Sequence, residues 1–184
     1  METRPLPIYL NDHLAGSVAA SELVTRCESE NRDRPDISEV LSRFRIQLEA
    51  ERTFLEEVID AVGGRKSTAK MAMAWSMEKV SRFKLNGGIL SYTPLSRLIE
   101  LEALIAGVRL KEALWESLTV ARPGGIDTAA CGRLADQARR QSRELETLRR
   151  AVAAEALEAP PSGPSSDTVS SAQPPHSGSP DPGS

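Results

Sequence analysis

The amino-acid sequence predicts an all-α fold, an antiparallel bundle of four to five helices followed by a disordered C-terminal tail. Aromatic residues make up only 4% of the 184 residues, which argues against an all-β fold. Apolar residues recur at alternating steps of three and four, the spacing of one helix face. Pro and Gly stand between these stretches, where helices begin and end.

Charge and cysteine content limit the kind of protein. A net charge of −3 gives no overall attraction to nucleic acid or to an anionic membrane, so neither partner is expected. The sequence contains no apolar run of about 18 residues, the length that a membrane span needs. The N-terminus lacks the apolar core of a signal peptide, and Cys27 and Cys131 are too few for a disulfide scaffold. These features predict a reduced, cytoplasmic protein.

The chain divides into a helical bundle over residues 1–158 and a tail over residues 159–184. Seven Pro, eight Ser and three Gly make up most of the 26 tail residues. Such a segment has too little apolar surface to offset the entropy of ordering it, which predicts disorder.

The first predicted helix runs from about Ile8 to Ser29. Its apolar stripe lies beside several small residues, which would let a neighbouring helix come close and would place this helix at the bundle centre. The stripe is Leu10, Leu14 and Val18, and the small residues are Ala15, Gly16, Ala19 and Ala20.

The second predicted helix begins at Asp36, with Glu39 three positions on, as in a capping box. It ends at Gly63-Gly64, because glycine accepts the left-handed conformation of a helix end. Its apolar seam is Ile37, Leu41, Phe44, Leu48, Glu51, Leu55, Val58 and Val62.

The third predicted helix runs from Ser67 to just before Asn86. The fourth begins at Thr93-Pro94, a capping residue followed by a proline at the first helical position. One face of the fourth helix is Leu98, Leu101, Ile105, Val108, Glu112 and Trp115.

The fifth predicted helix follows Pro123-Gly124-Gly125 and runs from Asp127 to about Glu158. Its seam is Cys131, Leu134, Ala138, Gln141, Leu145, Leu148 and Val152. Long helices joined by short links predict antiparallel neighbours.

Four strings carry a resemblance to a known group: YLNDHLAG, KLNGG, YTPLSRLIELEAL and KEALWESL, which begin at Tyr9, Lys84, Tyr92 and Lys111. Together they resemble a small family of uncharacterised bacterial proteins with a ferritin-like helical bundle, over about residues 8–119. The resemblance implies that fold and implies no activity. A ferritin-like bundle needs one long crossover, for which the third predicted helix is the candidate.

The ligand pattern of ferritin-like di-iron proteins is missing. Those proteins use two Glu-x-x-His motifs, because positions i and i+3 share a helix face. Here His13 follows Leu10 at that spacing, and His176 lies in the tail. No cofactor is therefore expected.

Four polar residues interrupt the predicted apolar faces: His13, Glu51, Glu78 and Glu112. If they converge inside the bundle, they form a polar site that could bind a divalent cation or a small molecule. The alternative is that Glu51 and Glu112 are solvated, or are paired with arginines such as Arg45, Arg82 or Arg109, and serve the structure only.

The sequence favours a non-enzymatic bundle that binds a protein partner or associates with itself. Long seams, the missing nucleophile and metal motifs, and the tail point to this role. The alternative is a ferritin-like protein with a degenerate metal or small-molecule site lined by His13, Glu51 and Glu112.

Overall fold

The computed structural model describes residues 5–64 and 92–158, and within these ranges the secondary structure is entirely helical. Four helices are present in the described part: α1 (Pro5–Glu30), α2 (Pro35–Ala61), α3 (Pro94–Ala121) and α4 (Thr128–Leu157). None of these four is both long and apolar enough to cross a bilayer. The third predicted helix and the predicted disordered tail lie outside the described residues.

The predicted starts of the last two helices are confirmed by their capping bonds. Thr93 Oγ1 accepts a hydrogen bond from Ser96 N at 3.1 Å, and Pro94 is the first residue of α3. Asp127 Oδ1 accepts one from Ala130 N at 3.0 Å. Each side chain satisfies a backbone donor that the helix leaves unpaired.

The predicted capping box of the second helix is wrong. The helix begins at Pro35, with Arg34 at the capping position and no side-chain capping bond. Asp36 instead accepts hydrogen bonds from the Arg34 guanidinium at 3.0 and 3.2 Å. Proline presets the backbone angle of a first helical residue, so Pro35 starts the helix itself. The predicted end is confirmed, since Gly63 has a φ of +69°.

The helices form a four-cornered bundle in which α1 packs on α2 and α3, and α4 packs on the same two helices. Among the four described helices, α1 therefore occupies a corner rather than the centre, because each of them has two neighbours. Gly16 is open on its outer side, where a side-chain carbon would have no contacting atom within 4 Å.

Neighbouring helices are antiparallel, but the diagonal helices α2 and α3 are parallel. Glu51 contacts Lys111, and Phe54 contacts Trp115 one turn further along both helices. Consequently α2 ends at one end of the bundle and α3 begins at the other. The connection over residues 62–93 must therefore cover the length of a 27-residue helix, about 40 Å.

The connection between α2 and α3 contains the third predicted helix, the candidate for the crossover, which lies outside the described residues. The links over residues 31–34 and 122–127 are short and join antiparallel neighbours. Among consecutive helices of the described part, only α2 and α3 are parallel, so residues 62–93 connect opposite ends of the bundle. The periodicity of the apolar residues could not reveal that α2 and α3 are parallel, because α3 would bury the same face in either direction along the bundle.

Two hydrophobic clusters fill the bundle, one toward each end. The larger core is Val24, Cys27, Ile37, Leu41, Phe44, Leu48, Leu98, Leu101, Leu104, Val108, Ala138, Leu145 and Val152. The smaller core is Leu10, Leu14, Leu55, Val58, Ile59, Leu114, Trp115, Leu118, Cys131 and Ala135. The predicted α2 seam is buried from Ile37 to Val58, with Val62 packed at its edge.

Two leucines on α3 test the direction in which this helix faces. Leu101→Ala should lower the free energy of unfolding by about 2–5 kcal/mol, because Leu101 is fully buried and its removal leaves a cavity. Leu110→Ala should change it by less than about 0.5 kcal/mol, because Leu110 is exposed. Urea unfolding followed by circular dichroism measures both, and equal losses would contradict this orientation of α3.

Candidate functional site

A buried ion pair lies at the middle of the bundle, on the diagonal between α2 and α3. Lys111 Nζ is 2.6 Å from Glu51 Oε2. The Glu51 side chain is 3% exposed and that of Lys111 is 12% exposed, so water does not surround either charge. Removing two charges from water is costly, and their attraction offsets this only with good geometry and further hydrogen bonds.

Two glutamines supply those further hydrogen bonds, and a third bonds to one of them. Gln137 and Gln141 donate to Glu51 Oε1 at 2.8 and 3.0 Å. Gln141 accepts from Lys111 Nζ at 2.7 Å and donates to Gln47 Oε1 at 2.8 Å. These five residues, Gln47, Glu51, Lys111, Gln137 and Gln141, are called the polar layer below.

The polar layer separates the two hydrophobic cores. On α2, Glu51 lies between Leu48 of the larger core and Leu55 of the smaller core. On α3, Lys111 lies between Val108 and Leu114 in the same way. Sliding one helix along another would take Glu51 out of reach of its partners, so the layer sets the axial alignment of α2, α3 and α4.

The surroundings of Lys111 act on its pKa in opposite directions. Burial lowers the pKa of Lys111, and the negative charge of Glu51 opposes that change. The Phe44 ring also lies 5.3 Å from Nζ, where the face of an aromatic ring attracts a cation.

The structure does not bring together His13, Glu51 and Glu112, the three residues of the hypothetical polar site. Glu112 is level with Lys111 but lies about 100° around the helix, where it accepts hydrogen bonds from Arg109 and Arg139 at 3.0 Å. That arginine pairing agrees with the structural alternative for Glu112. The fourth candidate, Glu78, lies outside the described residues.

His13 lies too far along α1 to join Glu51. The Ser21 hydroxyl donates to Glu49, which places Glu51 level with about residue 19 of α1, some 9 Å from His13 along the axis. His13 instead packs edge-on against Tyr9, with ring centroids 4.7 Å apart. Burial lowers the pKa of His13, and the charge of Asp12 opposes this.

No metal site is assembled in residues 5–64 and 92–158, where no group of three or more His, Cys, Asp and Glu side chains could hold an ion. At the one deeply buried carboxylate of the polar layer, the Lys111 ammonium lies where a bound cation would lie. The positive charge that balances Glu51 is therefore a side chain of the protein itself and not a bound ion.

Sequence reasoning missed Lys111, although a signal for it exists. The face Leu101, Leu104, Val108, Lys111, Trp115 and Leu118 also steps by three and four, one register from the predicted face. All of its members except Lys111 are fully buried. In this register the interrupting residue is Lys111 rather than Glu112.

A second polar network closes the end of the bundle where α3 begins. The fully buried Asn31 donates to Tyr92 Oη at 3.0 Å and accepts from the Arg97 guanidinium. The Tyr92 hydroxyl in turn donates to Glu100 at 3.0 Å. This network attaches the start of α3 to the end of α1.

The two cysteines are buried and lie in different cores, so they do not form a redox pair. Burial and the nearby charge of Glu100 raise the pKa of Cys27 to about 12. Burial and the charge of Asp127 also raise the pKa of Cys131. Both thiols are therefore protonated and weakly reactive near neutral pH.

The outer face of α3, opposite the cores, is largely apolar. It consists of Leu95, Ile99, Ala103, Ala106, Leu110, Ala113, Ser117 and Val120, at steps of four and three. Leu110 is 64% exposed and Val120 is 82% exposed. A shallow groove lined by Ala113, Glu116, Ser117, Val120 and Ala121 lies on this face.

Comparisons with protein-family models, curated proteins and solved structures give no match to this chain.

The polar layer makes a prediction about paired substitutions. Lys111→Met should lower the free energy of unfolding by about 3–5 kcal/mol, because it leaves the Glu51 carboxylate buried without its cation. Adding Glu51→Gln should recover most of that loss, since an amide in place of the carboxylate needs no counterion. Urea unfolding of the two single variants and the double variant gives the coupling energy.

Arg109→Met is the control, because Arg109 is exposed and Glu112 keeps Arg139 as a second partner, so this pair should contribute less than about 1 kcal/mol. Strictly additive losses in the double variant would show that Glu51 and Lys111 do not depend on each other.

Proposed function

We propose that this protein is a non-enzymatic helical bundle whose outer α3 face binds a helix of another protein molecule. The observation that carries this proposal is the outer face itself. Its apolar and small residues repeat at steps of three and four, the spacing that a helix needs to pack on another helix. The cores lie on the opposite side of α3, and Leu110 and Val120 of this face are exposed. Tyr9 of α1 reaches the edge of the face, where its hydroxyl donates to Ser117 Oγ at 3.4 Å.

A metal or small-molecule site inside the bundle is a weaker candidate for the function of the protein. In the polar layer, each charged or amide group contacts another member of the layer. A ligand that bound to Glu51 would have to displace the Lys111 ammonium from 2.6 Å. This arrangement supports a structural role and disfavours the degenerate metal or small-molecule site.

We also propose that the fold is ferritin-like, in a bacterial cytoplasmic protein. The single long crossover between the parallel helices α2 and α3 supports this, because ferritin-like bundles have one such connection. Three of the four strings that carry the family resemblance lie wholly in the described residues, one in α1 and two at α3.

Leu110→Glu tests the association surface. A charge at this exposed position should abolish association, because the carboxylate would be buried in the contact, and should leave the fold intact. Native mass spectrometry and sedimentation velocity of the gently purified full chain should show a complex for the wild type and the bare 19.9 kDa chain for the variant.

Ile46→Glu is the matched control. Ile46 is 62% exposed, much like Leu110, but lies on α2 away from the outer face of α3. This variant should keep the complex. A wild-type chain that is a bare monomer at every concentration, or equal loss of the complex in both variants, would overturn the proposal.

A further inference from the structure

We infer that the occupant of the outer α3 face is a second copy of this chain, bound with its α3 antiparallel about a two-fold axis beside Ala113. This inference rests on the proposed function and adds the identity of the partner. Two observations support it: the charges that flank the face and the shape of the groove.

The flanking charges are complementary to those of an antiparallel copy. Arg109 and Glu116 are seven residues apart, so they lie on the same side of α3, toward α4, where Arg109 also pairs with Glu112 and Glu116 with Arg139 of the same chain. In an antiparallel pair this side meets the same side of the partner helix. Arg109 then lies opposite Glu116 of the second copy, and symmetry repeats the pair.

This pairing also places a large residue opposite the groove. The axis falls between residues 112 and 113, so Leu110 of the second copy is level with residue 115. It therefore lies between Ala113 and Ser117, over the groove that those residues line. Large residues thus meet small ones across the interface, as in helix pairs that pack closely.

A parallel copy would lack both features, since Arg109 would lie level with Arg109 and Leu110 with Leu110. The antiparallel overlap covers about 18 residues of α3, about 27 Å. An interface made mainly by one helix pair is small, so the dimer should be reversible and dependent on concentration.

Cysteine cross-linking of the full chain tests the position of the axis. Ala113→Cys places a thiol beside its own symmetry mate, and mild oxidation should give a covalent species of twice the chain mass. Ala106→Cys lies on the same exposed face, but its mate is about 20 Å away along the axis, beyond the roughly 7 Å that a disulfide allows between Cα atoms. Cys27 and Cys131 are fully buried, so they give little background.

The inference predicts a cross-linked dimer for Ala113→Cys, little for Ala106→Cys, and loss of the Ala113→Cys product when Leu110→Glu is added. Equal cross-linking of both cysteine variants would overturn the inference, because it would show that the disulfides form by random collision. A wild-type complex that Leu110→Glu dissociates could have a mass other than twice that of the chain. That result would overturn the identification of the partner as a second copy, but it would leave the proposed function standing. A monomeric wild type would overturn both.

Discussion

The rest of the bundle depends on one buried interaction, the Glu51–Lys111 ion pair. It joins diagonal helices that do not otherwise pack backbone to backbone. Charges inside a protein cost free energy unless their partners are held in place, and Gln137 and Gln141 hold Glu51 from α4. Three helices must therefore be aligned before the pair can form. Apolar packing alone would tolerate a helix shifted by one turn, whereas this layer does not.

The helix α3 has two faces with different roles. Its inner face supplies Lys111 to a layer whose groups bond to one another. Its outer face carries Leu110 and Val120 into solvent, and nothing in the described part of the chain packs over them. A hydrophobic stripe at helical spacing is a means of recognition rather than of catalysis. The contrast between a closed interior and an open exterior is the basis of the proposed association.

Local features could be predicted from sequence, and features that need a distant partner could not. Thr93 and Asp127 were predictable caps because each bonds a backbone group three residues away. The α2 seam was predictable because periodicity alone defines it. The choice between Lys111 and Glu112 was not, since it depends on Glu51, sixty residues earlier in the chain. The direction of α3 along the bundle could likewise not be predicted, because reversing a helix preserves its apolar pattern.

The described helices form two hairpins, α1–α2 and α3–α4, each closed by a short turn. The polar layer is divided between them: Gln47 and Glu51 belong to the first hairpin, and Lys111, Gln137 and Gln141 to the second. The acid and its ammonium partner thus lie on two separate, locally folding units. Each hairpin can form from contacts near in sequence, whereas desolvation of the two charges waits until the hairpins dock. The ion pair therefore forms only when the two hairpins are docked, and it favours the docking that brings Glu51 beside Lys111.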